Sequence, residues 1–128
     1  MLRIIAVLLL AFATCGGALA ADPPNRKFVV YFQEWSADID GAATDIVKQA
    51  ATAAKATRGL VTVTGYADPT GSKRANALVS ELRAQRVSDL MQEAGLSVSR
   101  IKPIGRGSVK FALSSQESRR VEVTIGAR

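Results

Sequence analysis

The 128-residue chain contains no histidine, one cysteine and one tryptophan. Without imidazole there is no His-based nucleophilic triad and no His ligand for a metal. Cys15 has no second cysteine to pair with, so an internal disulfide is excluded. Aromatic residues make up only 5% of the chain, and they do not interleave with its basic residues, which scatter from Arg26 to Arg128 without a dense run. That pattern argues against nucleic acid as a partner, despite a formal charge of +6. No pair of carboxylates is set apart for acid–base work. Gly105-Arg106-Gly107 lacks the further glycine spacing of a phosphate-cradling loop. The absences favour binding over catalysis: no enzyme activity, no cofactor and no metal are expected.

What is present begins with an export signal. MLRIIAVLLLAFATCGGALA carries Arg3, an apolar stretch from Ile4 to Ala13 that is short for a membrane span, and the small-x-small site Ala18-Leu19-Ala20. Residues 1–20 are therefore expected to be a signal peptide cleaved after Ala20. A lipoprotein signal would instead end the apolar stretch on a lipidated cysteine. Phe12-Ala13-Thr14 before Cys15 is a poor version of the usual Leu-Ala-Gly. Membrane attachment is expected only if Cys15 is lipidated.

The rest is the size of one domain. Residues 21–27, with Pro23-Pro24, read as a short extended tether. KFVVYF (27–32) is a β-branched and aromatic run typical of a buried strand. Asp40 is a helix N-cap, followed by a helix from Gly41 to about Thr57 with Ile46, Val47, Ala50, Ala51 and Ala54 on one face and Gly59 as its terminator. Leu60 to Tyr66 alternates as a second strand, and Ser72 to about Ala94 is a long helix ended by Gly95. Ile101 to Ile104 is a short strand that Pro103 confines to an edge. Arg119 to Ile125 alternates cleanly, with Val121, Val123 and Ile125 on one side. The expected class is α+β, in the order β-α-β-α-β-β, with two helices on one face of a mixed four-stranded sheet.

One helix face raises a question. Asn76, Ser80, Arg83, Ala84, Val87, Met91 and Ala94 follow helical spacing, yet the stripe is polar in its N-terminal half. A buried guanidinium without a partner costs several kcal/mol. Asp68 precedes this helix by a tight turn and is its natural partner. The pattern leaves a structural Asp68–Arg83 ion pair and a ligand site equally open.

The stretch GYADPTGSKRANALVSELRAQRV resembles the signature of the OmpA-like peptidoglycan-binding domain. The matching positions are Gly65, Ala67, Asp68, Gly71, Asn76, Ser80, Arg83, Ala84 and Val87, with Val79 at a leucine position. Downstream, Gly95, Arg100, Gly105 and Gly107 fit the family's glycine-rich strand, and Ser118-Arg119-Arg120-Val121-Glu122 resembles its Asn-Arg-Arg-Val-Glu ending. Residues 28–126 are thus assigned to an OmpA-like domain.

The resemblance implies peptidoglycan as the partner, bound without catalysis through the diaminopimelate residue of the stem peptide. Asp68 would take the ammonium of this zwitterion and Arg83 its carboxylate. Asn76 would hold the loop after Asp68, and Arg120 would help wall the site. A periplasmic, wall-associated location follows, at the outer membrane if anchored there, with other envelope proteins as possible partners. The alternative is a fold kept as a protein-interaction or structural module without wall binding. Ser118 stands in place of the family's asparagine, the 106–117 segment is shorter than the common loop, and Gln33-Glu34-Trp35 stand where members often carry Asp-x-Asp/Asn. Trp35 is expected to cover the core rather than stack on ligand.

Overall fold

The computed structural model describes residues 26–108 and 115–126. The expected signal peptide, Cys15, residues 21–25 of the expected tether and the middle of the 106–117 loop lie outside them. The elements run β1 (Arg26–Tyr31), α1 (Gly41–Lys55), β2 (Val61–Ala67), α2 (Lys73–Glu93), a 3-10 turn (Val98–Arg100), β3 (Ile101–Ser108), the single-turn α3 (Ser115–Ser118) and β4 (Arg120–Ile125). Arg26 and Lys27, the end of the expected tether, open β1.

The strands form one mixed sheet in the order β1-β4-β2-β3, with β4 antiparallel to both neighbours and β2 parallel to β3. The last strand thus inserts between the first two. Pro103 lies on β3, at the sheet edge, where its missing N–H is tolerated. Strand β3 runs to Ser108, four residues beyond its expected end. The 3-10 turn and α3 are additions to the expected order.

Period-two alternation aims Val61 and Val63 of β2 and Val121, Val123 and Ile125 of β4 at the helices. Facing them are Val47, Ala50, Ala51 and Ala54 of α1 and Ala84, Val87 and Met91 of α2. Alanine dominates α1's inner face. Asp40 caps it, its carboxylate accepting from Ala43 N–H at 2.7 Å. The helix ends at Lys55 rather than near Thr57, and Gly59 is not its terminator. Ala56 caps it in the ordinary right-handed conformation, while the Gly59 carbonyl accepts from Arg100.

Helix α2 is capped by Ser72, which accepts from Ala75 N–H at 3.1 Å. Its C-terminus closes with paired bonds from Gly95 N–H to Gln92 O and from Leu96 N–H to Met91 O, a Schellman arrangement. What brings α2 down onto β2 is Gly65. A Cβ there would lie 2.0 Å from the Ser80 carbonyl oxygen, an impossible contact. This close approach sets the first half of α2 beside the C-terminal end of β2, where Asp68 follows.

Candidate functional site

The polar half of the α2 stripe is buried and satisfied. Asn76 is 2% exposed and donates from Nδ2 to Ser108 Oγ at 2.7 Å. It therefore ties α2 to the end of β3 rather than to the loop after Asp68. Ser80 accepts from Gly107 N–H at 2.8 Å. Arg83, 1% exposed, donates from Nε to Ser36 O at 2.8 Å, from Nη1 to Tyr66 O at 3.0 Å and from Nη2 to Gln33 O at 2.9 Å. The Phe32 ring lies 5.4 Å from its guanidinium carbon. Three carbonyls thus offset the desolvation of the charge. Burial, aided by nearby Arg119 and opposed by Asp68, pushes the guanidinium pKa down to about 10, which leaves it protonated at neutral pH.

Asp68 pairs elsewhere. Its Oδ2 accepts from Arg119 Nη1 at 3.3 Å, and its Oδ1 accepts from the Thr70 N–H at 3.1 Å and from the Thr70 hydroxyl. The Thr70 contacts form an Asx turn that shapes the Pro-Thr-Gly corner. Of the two readings that the sequence leaves open, the direct Asp68–Arg83 ion pair is not formed: among the described residues the ion-pair partner of Asp68 is Arg119. Burial pushes the Asp68 carboxyl up, but the Thr70 and Arg119 hydrogen bonds outweigh it and hold the group below its ordinary value.

Asp68, Arg83 and Arg119 line one cleft with Asn76, and Glu34 and Trp35 stand at its rim. Two guanidiniums and one buried carboxylate face the same small space. Arg83 has five N–H groups, and three are committed to carbonyls. Arg119 spends Nε on the Phe32 carbonyl at 3.1 Å and Nη1 on Asp68. Among the described residues each arginine keeps N–H donors without a partner, available to an anionic group, and the carboxylate can receive a cation.

Arg120 does not line this cleft. It lies on the opposite sheet face, with its guanidinium carbon 4.3 Å from the Tyr66 ring centre and Nε 3.1 Å from Glu122. The reason is the pleat: Arg119 has the parity of Val121 and Val123, which face the helices, whereas Arg120 has the parity of Glu122. Sequence reasoning missed Arg119 although this parity signal was present.

Trp35 is also corrected. It is 51% exposed, at the rim, and not a core residue. Ser36 N–H bonds to Gln33 O at 3.2 Å, which closes a turn, and Trp35 takes the left-handed position in it with φ 52°. Its indole lies over Gly71, where a Cβ would sit 2.5 Å from the ring. The family's glycine position thus leaves room for the tryptophan here. Among the described residues no group of three or more Cys, Asp or Glu side chains is placed to hold a metal ion. None of the helices there is long and apolar enough to cross a membrane.

Comparison with known proteins agrees with this fold. The model of the OmpA family matches residues 31–123. A curated relative, outer membrane protein 40 of Porphyromonas gingivalis, is 34% identical over 100 residues, covering 77% of this chain and 26% of that protein. The chain thus spans about a quarter of the length of that relative. The structure of the type VI secretion system cell wall anchor from Pseudomonas aeruginosa is similar at a TM-score of 0.65 and 27% identity, covering 84% of this chain and 86% of that one. The peptidoglycan-associated lipoprotein of Burkholderia pseudomallei shares the fold at a TM-score of 0.67 and 17% identity, over 77% and 88% of the two chains.

Proposed function

The chain belongs to the OmpA family, and on that premise we propose that it binds peptidoglycan without catalysis, through the diaminopimelate residue of the stem peptide. The observation that carries this reading is the convergence of Asp68, Arg83 and Arg119 on one cleft. Diaminopimelate presents an ammonium and a carboxylate on one carbon, and the cleft offers groups of both signs. Asp68 takes the ammonium. The free N–H groups of Arg83 and Arg119 take the carboxylate, in charge-assisted bonds strengthened by burial. On binding, Arg119 turns from Asp68 toward the ligand carboxylate while Asp68 exchanges it for the ligand ammonium, so no buried charge is stranded. Asn76 fixes the wall formed by α2.

The similarity to the cell wall anchor from P. aeruginosa supports an anchoring role at the wall, and a periplasmic location belongs to the same proposal. Retention at a membrane through Cys15 belongs to the same proposal, as an arm decided by the mature N-terminus. The competing reading, a fold kept for protein contacts alone, draws on Asp68 being already neutralised by Arg119.

Co-sedimentation with purified sacculi over a salt series separates the two. Attraction of a basic surface to an anionic polymer fades as the Debye length shrinks to ~3 Å at molar salt, while a buried clamp persists. Binding that disappears entirely in molar salt overturns the clamp.

A further inference from the structure

We propose that Trp35 is a movable cover on the Asp68–Arg83–Arg119 cleft, displaced from Gly71 when ligand enters. The inference rests on the stem-peptide reading and adds to it how the site is opened. The cleft has a volume of about 10 Å³, room for roughly one water molecule. A zwitterionic head with its carbon skeleton is several times larger, so seating it fully between these walls requires one of them to move.

Most walls are held. Arg83 is fixed by three carbonyls, Asn76 by Ser108, and Asp68 by Thr70. Trp35 differs in three respects. Its side chain is half-exposed, so it has solvent to move into. Among the described residues its indole N–H has no hydrogen-bond partner. Its backbone occupies the left-handed region, uncommon for a bulky side chain, and such strain gathers at ligand clamps and switches. The turn below it is anchored at both ends, because Gln33 and Ser36 give their carbonyls to Arg83. The indole can therefore swing while its base stays in place, and Gly71 offers a smooth surface for it to leave and return to.

Trp35 is the chain's only tryptophan, so its emission reports on the cleft directly. The test is a titration with a diaminopimelate-containing muropeptide, followed by tryptophan fluorescence with acrylamide quenching and, in parallel, by calorimetry on wild type and Trp35→Gly. Glycine accepts the left-handed backbone, and a thermal melt checks that the variant folds. The expected result is a change of emission with increased quenching on binding. In addition, the variant should bind about tenfold or more tightly, as removing a cover open roughly a tenth of the time would give. Calorimetric binding by wild type with unchanged emission, or weaker binding by folded Trp35→Gly, overturns the cover and leaves the stem-peptide reading standing. Binding by neither protein overturns both. Binding by the variant alone supports a cover that closes tightly.

Discussion

Asp68 and Arg119 form an ion pair of 3.3 Å, although 51 positions separate them in the chain. The pair is what the central strand β4 delivers to the loop after β2, since those strands lie side by side. Its existence makes two adjacent arginines experimentally distinguishable. Arg119→Ala should weaken stem-peptide binding by more than tenfold, corresponding to the loss of one buried charge partner at ~2 kcal/mol or more. Arg120→Ala should leave binding unchanged while it removes the stacking contact with Tyr66, worth ~0.5–1 kcal/mol, together with the half-buried contacts to Glu122 and the Glu117 carbonyl. Calorimetric titration and thermal melts on both variants decide it. Equal effects on binding would contradict the placement of the two side chains.

Arg83 carries structure as well as chemistry. Arg83→Ala strips three carbonyls of their donors and leaves a cavity where a fully buried side chain stood, so it should destabilise the domain by ~3–5 kcal/mol. Arg83→Lys should recover only part of this, because an ammonium cannot reach carbonyls disposed around a planar fork. Urea denaturation of the three proteins provides the comparison. A stable Arg83→Ala protein would show that the 33–36 turn does not depend on this guanidinium.

Acid should reveal Asp68. Its pKa in the folded protein lies below the ordinary 3.8, so the ionised carboxylate stabilises the fold above that pH. The contribution is lost as pH falls through the lower folded value. Wild type should therefore exceed Asp68→Asn in urea midpoint near pH 6, and the gap should close below about pH 3.8. A gap independent of pH would assign the effect to shape rather than charge.

Gly65 should tolerate no side chain. Gly65→Ala places its Cβ 2.0 Å from the Ser80 carbonyl, and separating α2 from β2 should cost ~1–3 kcal/mol or more, by overpacking. The same shift moves Arg83 away from the Tyr66 carbonyl, so binding should fall with stability. A variant as stable as wild type would contradict the close approach.

Most of the architecture was legible because it follows from local periodicities. Val121, Val123 and Ile125 announced a strand with one buried side, Asp40 and Ser72 announced helix starts, and Pro103 announced an edge. The convergence of α2's polar stripe with Asp68 was legible too, through residues whose burial needed explaining. What escaped depended on contacts distant in sequence. Arg83 takes carbonyls from the 33–36 turn, 47 and 50 positions away, and no spacing rule encodes that choice. Trp35 escaped for a related reason: its left-handed backbone is imposed by that tethered turn, not by its own preference. Arg119 was within reach, since the parity of the valines beyond it already pointed it toward the helices.

The most direct test of the account is a calorimetric comparison of two stem peptides that differ only at their third residue, diaminopimelate in one and lysine in the other. Lysine lacks the carboxylate that Arg83 and Arg119 are held to receive, which leaves the buried Arg83 and the half-buried Arg119 without their ligand partner. Binding should therefore be more than tenfold weaker for the lysine peptide, a difference of at least ~1.4 kcal/mol. Equal affinity for the two peptides, or binding to neither, would contradict the assignment of this cleft to the diaminopimelate zwitterion.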